Sequence, residues 1–168
     1  WNTATSQFSL TPYAAIAPSG EPNADMIVLN AGVGYRAQRN ITVPQDSLDR
    51  VFSVYIKKEA SPGQLATVAV GYASGVSIGK TYQFNTYTGV SPNPSYGTLE
   101  SYDANWWRVA VTLANNNQVG GATFYVLVSP QNSVSVGGET MYVWGPQVEL
   151  GTVPTPFIQQ AGSSTPRT

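Results

Sequence analysis

The stretch Asp103-Ala-Asn-Trp-Trp-Arg-Val-Ala-Val-Thr-Leu113 decides how this chain folds. Successive side chains on a β-strand point to opposite faces, so Trp107, Val109, Val111 and Leu113 share one side, while Trp106, Arg108, Ala110 and Thr112 share the other. The first set is a core face. The second carries a large aromatic ring and a fixed charge, so something must either cover that face or bind to it.

The same alternation runs outward from this strand in both directions. Valine, threonine, tyrosine and asparagine are abundant and lysine, glutamate and leucine are few, a composition that favours strands and turns over helices. Strands are predicted over 8–16, 26–30, 34–42, 50–58, 66–72, 81–88, 98–102, 106–113, 122–128 and 140–150. Clusters such as APSGEPN, ASPG, GVSPNPSYG and NNNQVGG separate them. About ten short strands at this spacing predict an all-β fold, a two-sheet antiparallel β-sandwich of the jelly-roll kind. Length fits one domain over residues 1–158, with 159–168 read as a polar tail or linker.

Composition excludes several chemistries. Eight basic and nine acidic residues leave a net charge of −1, which offers no broad attraction for nucleic acid. There is no apolar run of the roughly 20 residues that a membrane-spanning helix needs, so membrane insertion is not expected. The opening WNTATSQFS lacks the basic and apolar regions of a signal peptide. Cysteine is absent, which removes disulfides and thiol chemistry, and histidine is absent, which removes the usual neutral-pH base and the commonest metal ligand. GVSIG at 75–79 matches the nucleophile-elbow pattern, but its Ser77 lacks a histidine partner and is read as a turn residue. Glu100 and Asp103 flank a turn and are read as solvated acids rather than a catalytic pair. No catalytic residue, metal site or required cofactor is therefore expected. A structural calcium held by Asp25 and Glu149 is left open.

What the strands build instead is a face. In 34–42, Tyr35, Ala37 and Ile41 point inward and Arg36, Gln38 and Asn40 outward; in 50–58, Phe52, Val54 and Ile56 point inward and Ser53, Tyr55 and Lys57 outward. Over 140–150 both sides are apolar and the phase is open; one phase places Met141 and Val143 inward and Tyr142 and Trp144 outward, with Pro146 breaking the ladder before Gln147 and Glu149. Sugars present apolar C–H faces and a rim of hydroxyls, which match flat aromatic rings and planar hydrogen-bonding groups. Trp106, Arg108, Tyr55, Arg36, Gln38, Trp144 and Gln147 fit that description and are the predicted glycan contacts.

The order APSGEPNAD (17–25), VFSVYIKKEA (51–60), FNTYTGV (84–90), NWWRVAVTL (105–113) and MYVWGPQVELGTVPTPFI (141–158) resembles the carbohydrate-binding-module-like jelly rolls of bacteriophage virion proteins, including head spikes and tail fibres. The resemblance implies a non-catalytic domain that attaches to polysaccharide or oligosaccharide. It also implies a place at a virion surface or outside the cell, within a larger and multimeric protein. By motif position Trp106, Trp107 and Arg108 match the family's aromatic-aromatic-arginine strand, and Trp144, Gln147 and Glu149 its closing strand. Two further readings stand beside this one: a virion decoration or assembly module with no glycan ligand, and a polysaccharide lyase or hydrolase, which the missing histidine disfavours.

Overall fold

The computed structural model describes residues 7–33, 36–44, 46–60, 65–72, 78–114, 123–130 and 134–158. The tail at 159–168, Tyr35 and Ser77 lie outside this set. Among the described residues there are twelve strands: β1 (Phe8–Ala15), β2 (Ala24–Leu29), β3 (Gly32–Val33), β4 (Ala37–Thr42), β5 (Arg50–Lys57), β6 (Leu65–Tyr72), β7 (Ile78–Asn85), β8 (Thr98–Ser101), β9 (Trp106–Leu113), β10 (Thr123–Ser129), β11 (Val134–Ser135) and β12 (Thr140–Leu150). They form a six-stranded sheet in the order β1-β2-β12-β5-β9-β8 and a four-stranded sheet in the order β4-β10-β6-β7, while β3 pairs with β11. All described pairings are antiparallel. The chain is thus an antiparallel β-sandwich, as the alternation predicts. Among the described residues no helix is long and apolar enough to cross a membrane.

The core is the sum of the inward phases. Phe52, Val54 and Ile56 of β5 and Val109, Val111 and Leu113 of β9 meet Val68, Val70 and Tyr72 of β6 and Phe124, Val126 and Val128 of β10. Ala37 joins them in the phase read from the sequence, and Met141 and Val143 join them too, which fixes the phase left open over 140–150. Trp107 packs on the edge of this core beneath the turn after β7. Its indole N–H donates to the Thr86 carbonyl (2.7 Å), Gly89 (φ 74°) leaves room for the ring, and the Lys58 ammonium sits 4.3 Å above the ring centroid.

Two local differences from expectation have identifiable causes. Strand β7 ends at Asn85 rather than 88, because the Asn85 carboxamide accepts the N–H groups of Tyr87 (3.0 Å) and Thr88 (2.9 Å) and turns the chain. The β3–β11 pair was not expected, since two residues are too short to show a period.

Strand β12 carries the decisive irregularity. Trp144 pairs with Tyr55, but Gln147 pairs with Ser53, so three steps on β12 oppose two on β5. This is a β-bulge at Gly145 (φ 59°) and Pro146, and it exchanges inside for outside. Before it, Met141 and Val143 face the core; after it, Val148 does. Gln147 and Glu149 thereby join Trp144 on the outer face. The bulge rests on Gly145, where a side chain would meet both a positive φ and the Phe157 ring at 3.0 Å. Gly145→Val should therefore cost roughly 1–3 kcal/mol in urea unfolding, whereas Pro146→Ala, which keeps the residue count and the bulge, should cost far less.

Candidate functional site

The predicted face divides between the two sheets. Tyr55, Trp106, Arg108, Trp144 and Gln147 lie on the outer side of the six-stranded sheet, whereas Gln38 lies on β4 of the other sheet, with Arg36 just before it. The seven residues therefore do not form one surface, because the alternation of a strand reports which side a residue takes but not which sheet the strand joins.

The larger group is covered by the chain itself. Trp106 and Tyr55 are each only 3% exposed, in a second apolar cluster with Ala17 and Ala24, against which Ala15, Tyr142, Trp144 and Phe157 pack. After Leu150 the chain crosses back over this face as a strap. Phe157 lies against Trp144 with ring centroids 4.4 Å apart, and its ring fills the space that a side chain at Gly145 would take. Trp144 in turn packs at 5.1 Å on Tyr55, which meets Tyr102 edge-on at 4.9 Å.

Polar groups fix the strap's register. Thr155 is its anchor: its backbone N–H donates to Glu149 Oε2 (3.1 Å), its hydroxyl donates to Glu149 Oε1, and Gln147 Nε2 donates back to that hydroxyl (3.3 Å). Arg108 Nη2 donates to the Thr155 carbonyl, and the guanidinium carbon stands 5.5 Å from the Tyr55 ring centroid. Thr112 Oγ1 donates to the Thr152 carbonyl (2.9 Å), and the Ile158 N–H donates to Gln147 Oε1 (3.3 Å). Burial pushes the Tyr55 hydroxyl pKa up, against the opposing pull of Arg108. For Glu149, desolvation works upward, but the hydrogen bonds from Thr155 and Gln147 and the charge of Arg108 outweigh it and hold the carboxyl below its ordinary range.

Of the glycan contacts predicted on this face, Trp106 and Tyr55 are buried within the fold, and the half-buried Arg108, Trp144 and Gln147 contact the strap. Asp25 and Glu149, the two acids left open as calcium ligands, stand at separate places: Glu149 accepts from Thr155, and Asp25, beside Val143, lies on the far side of the bulge. Among the described residues no three acidic side chains converge. Glu100 stands opposite Arg108 in the β8–β9 pair, and Asp103 accepts the N–H groups of Asn105 and Trp106 at the turn.

The smaller group stands in the open. On the outer side of the four-stranded sheet, Asn40, Tyr125, Gly71 and Gly79 form one row across β4, β10, β6 and β7. A Cβ at Gly71 would come within 2.3 Å of the Tyr125 ring, and one at Gly79 within 2.9 Å of its hydroxyl, so the ring is laid down across two strands. Glycine inside a strand marks such a close approach. Beside it, Arg36 Nε donates to Gln38 Oε1 (3.2 Å) and Gln38 Nε2 donates to Asn40 Oδ1 (2.8 Å), a relay that aligns three planar groups along the sheet edge. Tyr125 was missed in the sequence, although its position out of phase with Phe124, Val126 and Val128, together with glycines in two neighbouring strands, is a signal that points to it.

The strap makes a testable demand. Thr155→Val should cost about 1–2 kcal/mol by leaving Gln147 and Glu149 without their shared hydroxyl, and Phe157→Ala should red-shift tryptophan emission by wetting Trp144. Since folding lowers the Glu149 pKa, its contribution is complete above the ordinary carboxylate range and is lost as the pH falls through the lowered value. Thermal unfolding followed against pH should show this acid-side loss diminished in Glu149→Gln.

No family model matches this chain, and no curated protein matches it.

Proposed function

We propose that the protein is a non-catalytic carbohydrate-binding domain whose ligand surface is the outer side of the four-stranded sheet. The observation that carries this reading is the Tyr125 ring laid across Gly71 and Gly79 beside the Arg36–Gln38–Asn40 relay. A ring flush with the sheet suits the apolar C–H face of a sugar, and planar amide and guanidinium groups at its side suit the hydroxyl rim. Donors remain for a ligand: among the described residues the terminal N–H groups of Arg36, the Asn40 amide nitrogen and the Tyr125 hydroxyl have no hydrogen-bond partner. Gln83 lies on the same side and touches Thr67 at 3.5 Å.

Such a surface binds weakly, because one aromatic platform and a few exchangeable hydrogen bonds contribute little above the cost of association. Repetition on one particle compensates through effective concentration. This is the basis for placing the domain on a phage spike or fibre, or on another multimeric extracellular protein, that attaches to polysaccharide, in keeping with the resemblance of its sequence motifs. The strap face serves the fold in this reading and the amide face serves the ligand.

A polysaccharide array followed by calorimetric titration tests it. Tyr125→Ala should weaken the best ligand about tenfold, roughly 1.4 kcal/mol, and Gln38→Ala by a smaller factor, with thermal unfolding kept as the check on folding. Arg108→Ala should loosen the strap and leave glycan affinity unchanged. Binding that follows Arg108 instead of Tyr125 would overturn the assignment of the face. Silence across the array would favour a decoration or assembly module.

A further inference from the structure

A second feature, independent of the glycan reading, lies between the sheets. Where the edge strand β4 stands off from β5 and β12, an open cleft of about 490 Å³ enters the sandwich, within the usual range of about 300–1,000 Å³ for small-molecule sites. Ile41 and Val43 form one wall, Phe52 and Val148 the opposite one, and Val126 closes the inner side. At one end Arg50 makes a salt bridge to Asp46 (2.7 Å) and donates to Tyr72 Oη (3.2 Å), so its charge is satisfied within the fold.

Arg39 is different. It pairs with Val126 in register and falls in the same phase as Ala37 and Ile41, so an arginine occupies a core-facing position on an edge strand. Its side chain is exposed at the cleft mouth, and among the described residues it has no hydrogen-bond or ion-pair partner. The acids lining the same cleft are already engaged, Asp46 by Arg50 and Glu149 by Thr155. The cleft therefore combines an apolar interior with one uncommitted cation at its entrance.

We propose that this cleft is a binding site for an organic anion with an apolar body, the body lying between Ile41, Phe52, Val126 and Val148 and the anionic group meeting the Arg39 guanidinium. A carboxylate is the simplest such group, since the planar fork of arginine donates two parallel hydrogen bonds to its oxygens. An inward-pointing charge also guards an edge strand against pairing with another chain, and Lys80, in the inward phase of the opposite edge strand β7, occupies the matching position there. Among the described residues the hollow beside Lys80 is less than half the size of this cleft, about 230 Å³, and Ser95, Thr98, Thr112 and Thr152 stand in its lining beside Tyr96, Ala110, Val153 and Pro154. Edge protection is thus common to both strands, whereas the larger cleft is particular to Arg39.

Decanoate, kept below its micelle concentration, is the probe, with decanol as its neutral counterpart and methyl NMR as the locator. Saturable decanoate binding should shift the methyl signals of Ile41, Val126 and Val148, should weaken tenfold or more in Arg39→Gln, should be partly kept in Arg39→Lys, and should be unchanged in Lys80→Gln. Decanol should bind with the weaker affinity of Arg39→Gln. Absence of saturable binding, equal decanoate affinity in wild type and Arg39→Gln, or shifts confined to methyl groups outside the cleft would each overturn the proposal. The variants leave Tyr125, Gln38 and Asn40 untouched, so failure here is separate from failure of glycan binding.

Discussion

One inserted residue in β12 sets the relation between core and surface on the larger sheet. A strand that alternated without interruption from Met141 to Leu150 would turn Gln147 and Glu149 into the sandwich and expel Val148. The bulge at Gly145 and Pro146 prevents this, and its two residues are suited to it: glycine accepts the positive φ, and proline has no N–H to lose from the ladder. Everything attached to the outer face follows from the corrected phase. Gln147 and Glu149 can grip Thr155 only because they emerge beside Trp144, and Phe157 can settle on Trp144 only because Gly145 presents no side chain against it.

The two sheets use their outer sides differently. On the six-stranded sheet, aromatic rings and charged groups are consumed internally: Trp106 and Tyr55 are buried in a cluster with Ala17 and Ala24, and the strap engages Arg108, Gln147 and Glu149 through hydrogen bonds. On the four-stranded sheet the outward side chains around Tyr125 are mostly small or polar, with Leu127 the apolar exception, and the Tyr125 ring lies flat among them. The feature that makes a residue look like a ligand contact, a large aromatic beside a fixed charge, is equally what a covering segment requires. Solvent access separates the two cases, and it depends on contacts made far along the chain.

Much of the fold was legible because each strand reports its own alternation. The inward sets Phe52, Val54, Ile56 and Val109, Val111, Leu113 were readable from local pattern, as was the interruption at Pro146, and each sits where that pattern places it. Sheet membership was not readable in this way. Whether Gln38 stands beside Trp106 depends on pairing between strands remote in sequence, and β4 pairs with β10 while β9 pairs with β5 and β8. The strap was hidden for a related reason: VPTPFI has no period, and its partners are separated from Thr155 by 47 residues at Arg108 and 8 at Gln147. Arg39 was passed over because a charged residue at an inward position reads as an exception to alternation, although at an edge strand such an exception is itself informative.

The strap also has a mechanical meaning. Strand β12 lies inside its sheet, flanked by β2 and β5, and the chain leaves it by turning back across the sheet rather than running off its end. Tension applied along the chain after Ile158 would meet Phe157 and Thr155 before it reached the ladder of β12. It would be shared through Arg108 and Thr112 with β9, and through Tyr55 with β5. The load is thereby spread over three neighbouring strands, and the sheet is spared the residue-by-residue peeling to which a directly pulled strand is exposed.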